Sequence, residues 1–346
     1  MTSPQPLTVV QWATGNIGRH ALRSVIEDPH LRLVGVLVHS ADKAGRDAGD
    51  LCGLGPVGVP ATRSLDDIVA LGADCVLAMP QGCDFDVFSA LLASGSNVVT
   101  TRGEFHHPPS LEPRRREQIE AACHQGSSSI HSTGSSPGFI SEAVPMVLAS
   151  LQRRLDELII DEFADLSKRN SPELLFNLMG FGADPESFDQ GRWAHGAQSF
   201  GPSLRMLCEA LALPLDSVTA SGDVACARLP TEIAAGTIAA GTVAAQRMTV
   251  SGIRDGRPLV QFRATWFCTD DLDPPWQLGA TGWRLTVVGD APLDVSISFA
   301  VPIEKMGAMS PAFTANRAVN AIRPLCAAGP GIRTTLDLPH ILPALS

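Results

Sequence analysis

At 346 residues the chain exceeds what a single hydrophobic core usually organises, so two domains are expected. Its net charge of −10 leaves no basic excess to neutralise phosphates, which excludes a general binder of nucleic acid or anionic membrane. No apolar run approaches the roughly 20 residues that span a bilayer, and MTSPQPLTVV lacks the positive start of a signal peptide. Eight cysteines without C-x-x-C pairs or metal-ligand spacing read as reduced thiols, so a cytoplasmic protein without a metal is expected.

Taken in chain order, the first 140 residues alternate apolar runs with amphipathic ones. VVQW (9–12) reads as a strand, NIGRHALRSVIED (16–28) as a helix, and LRLVGVLVH (31–39) as a second strand. SLDDIVALG (64–72) is a short helix opened by the N-cap Ser64 and stopped by Gly72. The strand DCVLAMP (74–80), the helix FDVFSALLASG (85–95), the strand NVVTT (97–101), the helix PRRREQIEAACHQG (113–126) and the strand SSIHS (128–132) follow. Strands without period-2 alternation, separated by helices, belong to a parallel sheet covered on both faces.

Beyond residue 140 the texture changes. SEAVPMVLASLQRRL (141–155) predicts a helix, while LDELIIDEFADLS (155–167), AQRMTVSGIRDGRPLVQFRATWFC (245–268) and WRLTVVGDAPLDVSISFAVP (283–302) predict strands that follow one another without long helices. IRDGRP contains the Asp-Gly pair favoured in type I′ hairpin turns. The Ala/Gly-rich 234–246 segment reads as a tightly packed helix, and PAFTANRAVNAIRPLCAAGPG (311–331) as an amphipathic helix interrupted by proline. The fold class is therefore α/β: a Rossmann-type parallel-sheet domain over 1–140, then an α+β domain over 141–310 with a largely antiparallel sheet. A C-terminal helix and tail, 311–346, return to the first domain.

The turn after the first strand carries A-x-G-x-x-G, from Ala13 to Gly18. Such a turn needs small residues because the chain reverses sharply, the backbone approaches a pyrophosphate, and the helix lies close on the strand. Gly15 and Gly18 meet the last two needs, and Ala13 meets the first provided its φ stays negative. With Thr14, Asn16 and Ile17 these residues form a candidate cradle in which phosphate sits on the free N–H groups of the helix start. The second strand ends His39-Ser40 with Asp42, Lys43 and Arg46 beyond, and no carboxylate at its tip. That mix suits the 2′-phosphate of NADP, with NAD still open; a solvated helix start explains the two cations equally well.

Ligands of an open parallel sheet bind beyond the carboxyl ends of its strands. Three such ends are candidates: Met79-Pro80, Thr101-Arg102 leading to Glu104, and STGSSPGF (132–139) with Ser136. Glu104 follows Gly103 at a strand tip, where a carboxylate can face a substrate beside a nicotinamide ring and accept a proton. A glutamate on a water-exposed loop is the competing reading. His106 and His107, ahead of Pro108-Pro109, read as loop-surface residues or as the site entrance. H-E-x-x-H does not occur, and no assembled nucleophile triad is apparent.

Together WATGNIGRHALRSVI, SADKAGRDAGDLCG, TTRGEF, TGSSPGF, LLFNLMGFG, the 233–260 run and AVNAIRPLCAAGPGIRTTLDLP resemble the 2,4-diaminopentanoate dehydrogenases and native amine dehydrogenases, a branch related to dihydrodipicolinate reductases. The resemblance runs over nearly the whole chain. It implies reversible, nicotinamide-dependent conversion of a ketone or aldehyde plus ammonia into a primary amine, a homodimer joined through the second-domain sheet, and no metal. It places Glu104 at the family's catalytic glutamate and Asn320 among the cofactor residues. Ser136-Pro137-Gly138 stands where the family usually has Asn-Pro-Gly, and the chain has no tyrosine for its pocket. Phe139, Phe176, Met179 and Phe181 are candidates for an apolar substrate lining, or else core residues. The His-His pair lies one strand too early for a dihydrodipicolinate reductase, and that enzyme's lysine motif is missing. A carbonyl or imine reductase and a non-catalytic dinucleotide sensor are the alternatives.

Overall fold

The computed structural model describes residues 5–188 and 190–344. The chain forms two compact units, one from the residues up to Phe139 with those from Pro311 onward, the other Ile140–Ser310.

In the first unit β1 (Leu7–Trp12), α1 (Asn16–Glu27), β2 (Leu31–Leu37), α2 (Ala48–Cys52), β3 (Ala61–Thr62), α3 (Leu65–Ala70), β4 (Cys75–Ala78), α4 (Phe85–Ala93), β5 (Asn97–Thr100), α5 (Pro113–Gly126) and β6 (Ser129–Ser132) alternate along the chain. The sheet runs from the strand Gly331–Arg333 through β6, β5, β4, β1 and β2 to β3, and every pairing in it is parallel. Strand order reverses between β1 and β4, which opens a crevice at their carboxyl ends. All residues of β4 are buried, as a parallel strand covered on both faces must be. On one face Trp12, Phe88, Phe105, Val98 and Ile130 pack together; on the other Val9, Leu77 and Val99 meet Ala315, Ala318, Ile322 and Leu325. The C-terminal helical segment thus seals this Rossmann-type sheet, each large apolar side chain contributing about 1.5–3 kcal/mol.

In the second unit α6 (Val144–Ala149) and β7 (Leu155–Asp165) are followed by α7 (Gln190–Ala210), β8 (Ser217–Ala227), β9 (Thr231–Ile233), β10 (Gly236–Ile238), β11 (Val243–Arg254), β12 (Arg257–Phe267), β13 (Leu272–Asp273), β14 (Gly282–Gly289) and β15 (Leu293–Ser298). The large sheet has the order β13-β8-β11-β12-β7-β14-β15, antiparallel except where β12 pairs with β7. The β11–β12 hairpin turns at Asp255 and Gly256, both left-handed (φ 51° and 72°), as type I′ geometry requires. α7 covers one face: Phe200 stacks on Phe262 with ring centroids 4.2 Å apart, and Trp193 lies over Gly222.

Two expectations are corrected. The 234–246 segment is not a helix but the second strand of a small hairpin and the start of β11. Gly236 (φ 142°) and Gly241 (φ 77°) break any helical path, and Ala244 and Ala245 are fully buried in the strand beside Phe267. Alanine's helix propensity is a weak prior against such packing. The helix expected over 141–155 stops at Ala149, because the chain then turns into β7.

Candidate active site

The first wall of the site is the turn that leaves β1. Ala13 is left-handed (φ 69°), so the negative φ expected for it is corrected. Neighbouring bonds impose this conformation. The Ala13 N–H donates to the Leu37 carbonyl (2.8 Å), and the amide of buried Gln11 donates to the carbonyls of Trp12 (3.1 Å) and Ala13 (2.9 Å). A methyl at Gly18 would stand 2.1 Å from the Ala13 carbonyl oxygen, so Gly18 lets α1 close onto the strand. Gly15 differs: its backbone is extended (φ −74°, ψ −162°) and a Cβ there would meet nothing within 4 Å. As N-cap of α1 it offers no side chain, and the first turn holds no acid. The leading N–H groups of α1 are therefore left for an anion.

Buried hydroxyls test whether a dinucleotide suits this edge. Thr14 Oγ1, Thr133 Oγ1 and Ser136 Oγ are each buried without a hydrogen-bond partner among the described residues. All three lie on the loops that leave β1 and β6. Orphaned hydroxyls at the carboxyl edge, together with an open glycine at a helix start, fit a ligand rich in phosphate, hydroxyl and amide groups. Lys43 donates to the Thr14 carbonyl (3.2 Å), which brings a cation to the cradle. Ser40 bonds Asp42, the acid that stands just beyond the tip of β2. Trp12, His39, Pro80, Gly82, Phe85 and Arg115 are among the residues lining a cleft of about 430 Å³ beside the cradle. In it the Trp12 indole N–H donates to His39 Nε2 (3.1 Å), and the Arg115 guanidinium lies 5.2 Å over the Phe85 ring.

Glu104 sits in the short helical turn Gly103–Phe105 directly after β5, anchored by Phe105, whose ring packs between Phe85 (5.9 Å) and Phe88 (5.2 Å). Its side chain is 31% exposed and its two carboxylate oxygens accept from Arg102 Nη2 (2.6 Å) and Nε (3.2 Å). Arg102, expected among the cofactor contacts, directs its remaining donor Nη1 to the Gln81 carbonyl (2.5 Å). Burial, and next the Glu104 carboxylate, push the nearby Cys83 thiol up to about 12. His106 and His107 are buried rather than on the loop surface, drawn in behind Phe105, and His107 Nδ1 pairs with Ser110 Oγ at 2.6 Å. Met79 is a core residue under the sheet, its N–H on the Trp12 carbonyl (3.0 Å), while Pro80 reaches the cleft. Thr101 is half-buried between β5 and Arg102, and Asn320 ends the helix Ile303–Asn320. The sequence reading assigned no role to Gln11 or Thr133, and took Cys83 for a reduced thiol and Arg115 for part of a solvated helix face. For Gln11 a signal existed, a lone polar residue inside an apolar strand.

Comparison with known proteins bears on this arrangement. Residues 139–345 match the model of the 2,4-diaminopentanoate dehydrogenase C-terminal domain. The chain belongs to that family. Residues 8–105 match the dihydrodipicolinate reductase N-terminal domain. An amine dehydrogenase of Streptomyces virginiae is 29% identical, over 96% of both chains. A 4-hydroxy-tetrahydrodipicolinate reductase of Synechococcus elongatus is 38% identical over 73 residues, only 21% of this chain. The amine dehydrogenase structure from Mycobacterium smegmatis has the same fold, with a TM-score of 0.75 over 97% of both chains at 20% identity.

For this 2,4-diaminopentanoate dehydrogenase family member the four aromatic and sulfur candidates for a substrate lining do not form one set. Phe176 and Met179 are half-buried at the margin of a second-unit cluster, and Phe181, 1% exposed, lies inside it among Leu175, Ala244 and Phe267. Phe181 is thus a core residue, which corrects its place in a pocket wall. Phe139 belongs to the first unit, with the Arg317 guanidinium 5.9 Å over its ring. Among the described residues no group of three His, Cys, Asp or Glu side chains is arranged to hold a metal, and no helix is long and apolar enough to cross a membrane.

Proposed function

We propose that Glu104 is the catalytic carboxylate of this NAD(P)-dependent amine dehydrogenase, an oxidoreductase acting on CH–NH2 donors that joins ammonia reversibly to a ketone or aldehyde. The observation that carries the proposal is a partly exposed carboxylate fixed by a guanidinium fork at the carboxyl end of β5, in a unit whose first helix starts uncapped at a glycine. When bound, the nicotinamide supplies hydride in the aminating direction and accepts it in reverse. Glu104 accepts a hydrogen bond from ammonia, takes the proton released as the nitrogen attacks the carbonyl and passes it to the carbonyl oxygen; a second proton, drawn from solvent through Glu104, lets that hydroxyl leave as water and the iminium form. Its negative charge then stabilises the iminium, an attraction that strengthens as water leaves the site.

Ala13, Thr14, Gly15, Asn16, Ile17 and Gly18 would hold the pyrophosphate. Ser136 and Thr133 would meet the nicotinamide half with their free hydroxyls, flanked by Met79, Pro80, Thr101 and Asn320. His39, Ser40 and Lys43 would meet the adenosine half, and Lys43 makes NADP the preferred form. Phe139 in the first unit, and Phe176 and Met179 in the second, each remain proposed as apolar lining within their own unit. We place the enzyme in the cytoplasm as a homodimer, joined through the sheet face opposite α7 that carries Asp161, Arg263, Arg284 and Asp294. Sedimentation at micromolar concentration tests that state, a monomer counting against it.

Turnover of a panel of short aliphatic ketones and aldehydes with NADPH, with and without ammonia, tests the activity. Amine formation that requires ammonia and is abolished in Glu104→Gln is expected. Equal NADPH oxidation without ammonia would instead make the protein a carbonyl reductase.

A further inference from the structure

We propose that Arg102 is the positioning residue of the site: it fixes the Glu104 carboxylate in one orientation and ties it to the loop that walls the cofactor cleft. This inference rests on the reading of Glu104 given above. A lone surface ion pair would carry little weight. Arg102 is different because each of its guanidinium nitrogens has an acceptor: Glu104 Oε2 (3.2 Å) and Oε1 (2.6 Å) for the fork, and the Gln81 carbonyl (2.5 Å) for Nη1. Its side chain is only 27% exposed.

The backbone of Arg102 is held as firmly. Its N–H donates to Thr100 Oγ1 (3.2 Å), whose own hydroxyl donates to the Ala78 carbonyl (2.8 Å), and its carbonyl accepts the Ser132 hydroxyl. The ends of β4, β5 and β6 therefore converge on one residue.

Two consequences follow for the chemistry. A forked guanidinium occupies one edge of the carboxylate and takes one lone pair from each oxygen, so ammonia can be accepted only from the other edge. The nitrogen is then delivered from a single direction, without rotation of a glutamate side chain at each turnover. The Gln81 carbonyl adds a mechanical link. Gln81 lies between Pro80 and Gly82, and Pro80, Gly82 and Cys83 line the cleft. A cofactor seated there steadies Gln81, which steadies Arg102 and so aims Glu104. Ammonia is thereby received productively after the cofactor, and the coupling is reciprocal.

Arg102→Lys keeps the positive charge and removes the fork, and it is the decisive variant. With the most reactive ketone of the panel, the KM for ammonia is expected to rise about ten-fold, the worth of one charge-assisted hydrogen bond, with a smaller fall in kcat. NADPH titrated into the ketone-free enzyme and read by Trp12 fluorescence should bind about five-fold more weakly once Gln81 is released. Either quantity left within about two-fold of the parent overturns the proposal. A purely structural arginine would lower the melting temperature and the active fraction without moving the KM for ammonia. Should Arg102→Lys not fold, Ser132→Ala loosens the same residue from its backbone side, and a raised ammonia KM supports the proposal while an unchanged one defeats it. Glu104→Gln separates the two layers. If it still aminates, the reading of Glu104 falls; if it is inactive while Arg102→Lys behaves as the parent, only the present inference falls.

Discussion

The two glycines after β1 differ in their surroundings, and Gly15→Ala isolates the one proposed to serve the cofactor. The backbone of Gly15 (φ −74°, ψ −162°) is open to alanine, and the added Cβ meets nothing within 4 Å. Alanine is a somewhat poorer N-cap than glycine but narrows the unfolded ensemble, so the net change in stability should stay within about 1 kcal/mol. The methyl does, however, occupy the space through which a pyrophosphate approaches the first N–H groups of α1. Displacing it weakens one or two charge-assisted hydrogen bonds, a loss of about 3 kcal/mol or roughly 100-fold in NADPH affinity. Fluorescence titration of NADPH and a thermal melt on the same sample give both numbers. Gly18→Ala is the control: its Cβ falls 2.1 Å from the Ala13 carbonyl oxygen, a backbone atom, so stability should drop by at least about 1–3 kcal/mol. Unchanged NADPH affinity in a well-folded Gly15→Ala protein would refute phosphate binding at this helix start.

Ala13→Gly should raise stability, by up to about 1 kcal/mol, because Ala13 is held left-handed (φ 69°) with a Cβ that glycine lacks; an unaltered melting temperature would count against strain at this turn. Lys43→Ala should weaken NADPH by about ten-fold and leave NADH nearly untouched, since only the former carries the 2′-phosphate; equal losses would move Lys43 to the pyrophosphate. Alkaline stability follows from buried thiols. Burial raises Cys208 and Cys268 to about 12 and Cys123 to about 11 in the folded chain, against an ordinary value of 9.0. A raised folded value means the stabilisation is whole below pH 9 and is lost as pH climbs towards 11–12, because the unfolded chain releases these protons first. Melts from pH 7 to pH 11 should decline beyond about pH 9, by up to about 1.4 kcal/mol per pH unit and thiol, and Cys208→Ala should flatten the slope. A flat profile in the parent would contradict it.

What could be read from the sequence was whatever local chemistry decides. β4 has to be covered on both faces because CVLA has no polar residue, and Asp255-Gly256 has to turn because both positions suit positive φ. Ala13 escaped the same logic. Its conformation is set by Leu37, Gln11 and Gly18, partners 24, 2 and 5 positions away that only the folded chain gathers. His106 and His107 failed in the same manner: their polarity pointed outward, but Phe105 belongs to the core and takes its neighbours with it. Glu104 was visible as a carboxylate at a strand tip, whereas its pairing with Arg102 was not, because residues two positions apart meet only where the backbone turns, as it does at Gly103–Phe105. The folded chain gives that arginine two carboxylate oxygens and a carbonyl. Three of its five N–H groups are thereby taken up, two of them by the carboxylate. An uncapped helix start and a bare glycine leave the backbone N–H groups of α1 as the proposed seat of phosphate.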